Sequence, residues 1–262
     1  MAQARDQAER AERIQREYDA FKAQRQPWTA GRGFAVLMPV AWGDIGVAVR
    51  LLDWMRDLGG IPNHELVFCL PPDLPQDLKD ALTSRAATLR GTWSVFQRPF
   101  ILSSEHWPQG PNWSFTCASQ WAHQNQKDFL FLEPDCVPLK PGWVETIHRE
   151  YRGCGRAFLG HFEAKGAQHE RHMAGVAVYQ WEIYQRLHWH EYYKAWDVAM
   201  GPYLLHEAHE SRTIQQIWGD LGRPPTFATT HDLRCLRPDA VLFHRNKDGT
   251  LIERLREIWG VK

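Results

Sequence analysis

The stretch KDFLFLEPDCVPLKPGWVETI, Lys127 to Ile147, sets four apolar residues, Phe129 to Leu132, directly before Glu133-Pro134-Asp135. Two carboxylates one residue apart at the end of a buried run repel each other unless something neutralises them. A divalent cation is one answer. Hard oxygen ligands suit Mg2+ or Mn2+, and magnesium takes one or two protein carboxylates and completes its shell with water and phosphate oxygens. That is the ligand set of a nucleoside diphosphate site. The other answer is a solvated turn in which Asp135 caps the following helix, and the three letters leave both open.

The elements around this turn alternate. GFAVLMPV (33–40), HELVFCLPPD (64–73), TWSVFQRP (92–99) and DFLFLEPD (128–135) read as strands. GVAVRLLDWMRDLGG (46–60), LPQDLKDALTSRAATLR (74–90), GPNWSFTCASQWAHQN (110–125) and PGWVETIHREYRG (141–153) read as helices. The first closes on Gly59-Gly60 and the last is opened by Pro141. RAFLGHFE (156–163) and HMAGVAVYQ (172–180) are further strands, 182–189 and 211–221 are helical, and DAVLFH (239–244) is a late strand. Strands alternating with helices predict an α/β domain on a mostly parallel sheet. Ligands bind such sheets beyond the carboxyl ends of the strands. That rule gathers Trp42-Gly43-Asp44, Pro71 to Asp73 and Glu133 to Asp135 at one mouth.

Ahead of this domain, residues 1–27 are rich in Ala, Gln, Glu and Arg, with Ala4, Ala8, Ala11, Ile14, Tyr18 and Phe21 at helical spacing. The division is therefore an amphipathic helix over 1–28, docked on the domain or on another chain, and one domain over 29–262. The 31 basic and 31 acidic residues balance, so no overall field draws the chain to nucleic acid or membrane. No apolar run approaches the ~20 residues that span a bilayer. The five cysteines form no C-x-x-C pair, and reduced thiols in a cytoplasm are expected. Thirteen tryptophans allow stacking on sugars or bases as well as packing. A glycine-rich phosphate loop is absent, which excludes a P-loop kinase or a dinucleotide-binding dehydrogenase, and G-x-S-x-G is absent too. PVAWGDIG carries no basic residue, against a nucleotidyltransferase.

FLFLEPDCVPLKPGW resembles the strand and acidic-x-Asp motif of GT-A-type nucleotide-sugar glycosyltransferases, and the order of elements over roughly 33–250 is similar. The family's motif usually begins with Asp where this chain has Glu133. The resemblance implies Mn2+ or Mg2+ held by Asp135 and Glu133 on the diphosphate of a sugar nucleotide, UDP-linked. It implies His244 of AVLFHRNKDGT as a third metal ligand through neutral imidazole, and Lys247 as a point charge on the diphosphate. Gly175 would let the sugar approach the backbone, with His172 and Trp181 flanking the pocket. Asp197 of KAWDVAMG would be the general base of an inverting enzyme, or hold the sugar in a retaining one, with Asp220 and Glu191 as rivals. Pro39, Trp42, Asp44, Asp73 and Asn112 would take base and ribose. The motif also resembles those of small phage glycosyltransferases, some of which decorate hydroxymethylated pyrimidines in DNA. Arg10 to Arg16 and Arg223 to Arg237 are the basic stretches that could meet phosphates. A glycan, protein or small-molecule acceptor, or a module that binds nucleotide sugar without catalysis, stays open.

Overall fold

A computed structural model describes residues 29–97, 108–164, 171–186, 194–217 and 225–260. The predicted amphipathic helix, Arg10 to Arg16, Arg223, Glu191 and Asp220 lie outside these. The first four long strands are β1 (Gly33–Pro39), β2 (Glu65–Leu70), β3 (Thr92–Gln97) and β4 (Lys127–Phe131). They run parallel in the order β3-β2-β1-β4. β1, β2 and β4 are near-continuous apolar runs because helices cover both faces of the sheet. The residues that follow Pro39, Leu70 and Phe131 therefore emerge at one edge, as predicted.

Beyond β4 the sheet continues with β7 (His172–Tyr179), β6 (Phe158–Glu163) and β8 (Ala208–Glu210). β7 is antiparallel to both β4 and β6 and is the one reversed strand among the seven. Its reversal brings His172 to Gly175 to the edge where β1, β2 and β4 end and sends its carboxyl end to the opposite one. A second sheet of three short strands is ordered β5 (Val137–Pro138), β10 (Leu242–His244), β9 (Ile214–Gln216). The helix expected over 211–221 is corrected here. Ile214–Gln216 pairs in parallel with β10, and Ser211 and Thr213 are tied to the Glu150 carboxylate, so tertiary pairing overrides the helical spacing. The helix expected over 182–189 is a 3-10 turn, Trp181–Arg186, within the described residues.

One face of the large sheet packs against α1 (Ile45–Asp57), α2 (Gln76–Ala86) and α4 (Trp143–Cys154) through Leu51, Leu52, Met55, Leu82, Trp143 and Ile147. The other packs against α3 (Gln109–Asn125) and α5 (Trp196–Leu204), with Phe115, Trp121, Phe129, Tyr179 and Trp196 in contact. A fully buried side chain of this size contributes about 2–3 kcal/mol. The amphipathic α6 (Thr250–Trp259) packs Leu251, Ile252 and Leu255 on Phe243 and Trp54, which clamps β10. All five cysteines are free thiols, and no described helix is long and apolar enough to cross a membrane.

Asp128 at the base of β4 joins two distant segments, accepting the Gly31 N–H at 3.0 Å and the Trp181 N–H at 3.1 Å. Burial raises its pKa to about 6, although both N–H groups pull it down. A carboxyl raised in the folded state contributes stability below its unfolded pKa of about 3.9 and loses it as pH rises through about 6, a change of about 3 kcal/mol. Asp128→Asn is expected to flatten urea midpoints between pH 4 and 7. An unchanged slope in the variant would assign that pH dependence elsewhere.

Candidate active site

The residues Glu133-Pro134-Asp135-Cys136 form a β-turn closed by the Cys136 N–H on the Glu133 carbonyl at 3.0 Å, with proline at its favoured second position. β5 follows at once and pairs with β10, Phe243 opposite Val137, and the Asn246 N–H donates to the Asp135 carbonyl at 2.9 Å. That pairing delivers His244 to the turn across more than a hundred residues of sequence. Its Nε2 lies 3.0 Å from Glu133 Oε2 and 3.2 Å from Asp135 Oδ1. Asp135 and His244 are buried, and Glu133 is partly open. Asp135 caps no helix, since α4 begins at Trp143 behind Gly142.

The electrostatics of this trio are those of two acids gathered on one imidazole. Burial pushes the His244 imidazolium down, but Asp135 and Glu133 override it and hold its pKa at about 10. Burial pushes the Asp135 carboxyl up, and His244 and Lys247 bring it below the usual carboxylate range. Asp135, Cys136 and His244 each offer a ligand atom within 4.8 Å of the others. Burial and the two acids push the Cys136 thiol up, which favours the oxygen and imidazole donors. Two carboxylates and an imidazole around one point fit a hard divalent ion.

Asp197 approaches from the other side of Gly175. It stands in the first turn of α5, accepts the Val198 N–H at 2.9 Å, and has its pKa raised by burial and by Glu133, against the pull of His172. A Cβ built on Gly175 would meet Trp196 Cζ2 at 3.2 Å, Asp197 Oδ2 at 3.5 Å and Glu133 Oε1 at 3.6 Å. The bare backbone is thus the floor between the two acids. α5 lies close on β7 because Gly201 has no side chain; a Cβ there would come within 2.2 Å of His172 Cβ. Asn112 and Phe115 of α3 hold the start of α5. Asn112 Oδ1 accepts the Trp196 N–H at 2.7 Å, its Nδ2 donates to the Lys194 carbonyl at 2.8 Å, and Phe115 stacks on Trp196. With both ends of its amide engaged and 4% of its surface exposed, Asn112 holds Asp197 in place instead of facing a nucleotide.

The loop after β1 completes the edge. Asp44 lies where burial raises its pKa, with Asp135 and Glu133 raising it further and Lys247 lowering it. Lys247 is exposed, as is Trp42 at 49%. Pro39 is buried as the last residue of β1, and Asp73 stands exposed on the turn after β2. Trp181 departs from expectation. It follows the reversed β7 and donates its Nε1–H to the Thr29 carbonyl at the opposite edge, so it flanks no pocket here.

Three residues escaped the sequence reading. Gln216 sets its Oε1 against His244 Nδ1 and donates to Glu163 Oε1. Arg245 adopts φ +89°, rare for a residue with a side chain, and burial lowers its pKa while Asp135, Glu163, Glu133 and Asp197 pull it back up. Its position between His244 and Lys247 was the available signal; Gln216 and Glu163 carried none.

No protein-family profile matches the chain, and no curated protein matches it in sequence. Solved structures do match. Mouse xyloside xylosyltransferase 1, apo form, superposes with a TM-score of 0.51 at 11% identity, over 82% of this chain and 98% of that one. The galactosyltransferase LgtC, in complex with donor and acceptor sugar analogues, superposes with a TM-score of 0.51 at 9% identity, over 86% and 95%. An active-site mutant of LgtC gives 0.53 at 10% identity. At these identities the likeness shows the fold, and the fold is that of GT-A glycosyltransferases.

Proposed function

We propose that this chain is a glycosyltransferase that moves a sugar from a nucleoside diphosphate donor, UDP-linked, to an acceptor hydroxyl. The observation that carries the reading is the convergence of Glu133, Asp135 and His244 beyond the carboxyl ends of parallel strands, with Asp197 across bare backbone at Gly175. Both solved relatives named above are sugar transferases on the same fold. Asp135, His244 and Glu133 would hold Mn2+ or Mg2+, which when bound neutralises the charge that grows on the departing diphosphate. Lys247 adds a point charge on that diphosphate. Trp42 offers a face to the base, and Asp44 and Asp73 accept from base or ribose hydroxyls. Gly175 gives the sugar room over the backbone. Asp197, whose raised pKa makes it the stronger base, takes the acceptor proton if the product is inverted and holds the sugar if it is retained.

The acceptor reading with a specific chemistry is a hydroxymethylated pyrimidine in DNA. It rests on the motif's resemblance to small phage transferases. Gly175 is buried and Asp197 half-buried, so a base within the duplex would have to leave the stack to reach them.

Thermal melts with Mn2+ and each common nucleotide sugar test the donor. A ligand at about 100 times its Kd adds about 2.7 kcal/mol to the folded state, a rise of several degrees. No shift with any donor contradicts the reading. The best donor is then incubated with plain and hydroxymethylated DNA and the product weighed. Added hexose or pentose mass on the modified strand alone supports the DNA acceptor, and no added mass on either removes it.

A further inference from the structure

We infer that Gln216 and Glu163 form a positioning relay that fixes the His244 tautomer and presents Nε2 to the cation. The inference rests on the metal-site reading above. Gln216 is buried on β9, directly across the ladder from His244 on β10, and Glu163 is the last residue of β6. Hydrogen-bond direction follows from chemistry alone. An ionised carboxylate only accepts, so the Gln216 Nε2–H2 group must face Glu163 Oε1, at 2.5 Å. Its Oε1 therefore faces His244 Nδ1. An amide oxygen also only accepts, so Nδ1 must carry a proton. That leaves Nε2, 3.0 Å from Glu133 and 3.2 Å from Asp135, as the ring atom that would exchange its proton for a cation between them.

Without Glu163 the amide could rotate, turn its nitrogen to Nδ1 and favour the opposite tautomer. The carboxylate is thus what gives the relay its direction. Three strands from two sheets supply the parts: β6 the carboxylate, β9 the amide, β10 the imidazole. A group that orients a metal-binding histidine typically changes metal affinity by about 10- to 100-fold when removed.

The test is Mn2+ affinity of the full chain by calorimetry, beside thermal melts in EDTA that report folding. Gln216→Leu is expected to weaken Mn2+ binding about 10- to 100-fold. Q216E alone sets two carboxylates against each other. The swap of Q216E with E163Q rebuilds the chain of donor and acceptor, because the introduced amide donates to the introduced carboxylate and that carboxylate accepts from Nδ1–H. The swap is expected to bring affinity back to within about threefold of the wild type, a recovery that loss of packing would not produce. Nitrogen-15 spectra of the Cd2+-loaded wild type should show a protonated Nδ1 and a metal-bound Nε2. Wild-type affinity in Gln216→Leu, no recovery in the swap, or metal on Nδ1 each overturn the relay and leave the transferase reading standing. Absence of any Mn2+ binding by the wild type overturns the metal reading and the relay with it.

Discussion

Asp135→Asn is expected to lower sugar transfer by about 10³-fold or more, because a cation at a departing diphosphate supplies several kcal/mol. The amide keeps the shape of the side chain and loses its charge. The measurement is kcat/KM under a Mn2+ titration, and activity within tenfold of the wild type would remove Asp135 from the site. The same change has a second consequence in the metal-free protein. Asp135 is held below the usual carboxylate range, so its contribution is present above the unfolded pKa of about 3.9 and lost as pH falls through the lowered value. His244 is raised to about 10, so its contribution is present below the unfolded pKa of about 6.5 and lost as pH rises through about 10. Near neutrality both are present. Removing one charge of a buried pair costs on the order of 3 kcal/mol. Melts at pH 7 in EDTA should therefore show Asp135→Asn less stable than the wild type.

Asp197→Asn is expected to lower kcat by about 10²- to 10⁴-fold and to leave donor affinity within about threefold. The residue faces the space over Gly175 and is not among the proposed cation ligands. The sign on stability is opposite to that for Asp135. Burial and Glu133 raise the Asp197 pKa, so its contribution is present at low pH and lost as pH rises through the raised value. Ionised Asp197 therefore costs stability at neutral pH, and the neutral amide, still able to accept the Val198 N–H, should raise the melting temperature there. Loss of turnover with donor binding kept and stability gained identifies a functional acid held against a folding cost. Unchanged turnover would leave a chain that binds nucleotide sugar without using Asp197. The stereochemistry of the product, read by proton NMR of the anomeric centre, decides between base and sugar-holding group.

The parallel half of the fold was legible because it is written in local pattern. Buried runs such as Phe34 to Met38 and Leu66 to Leu70 can be only central strands or core helix, and their length and flanking turns decide. The acid turn was legible because proline and two carboxylates interrupt such a run. Strand direction has no local signature. Nothing in HMAGVAVY says that β7 runs backwards, and so Trp181 was expected at the wrong edge. β5, β8 and β9 span two or three residues, too few to show a period, and β9 is held by β10 and by Glu150 and not by its own preference. Asn112 was read by its chemistry alone, and only the fold shows both ends of its amide turned inward. Gln216 and Glu163 are ordinary polar residues at strand ends until β10 places His244 beside them.

The most direct test is anomalous scattering at the manganese edge from crystals grown with Mn2+ and UDP. The account predicts one strong peak per chain about 2.1 Å from an Asp135 carboxylate oxygen and from His244 Nε2, with diphosphate oxygens on its open side. No peak there, or a peak elsewhere with UDP bound away from the Glu133 turn, would contradict it.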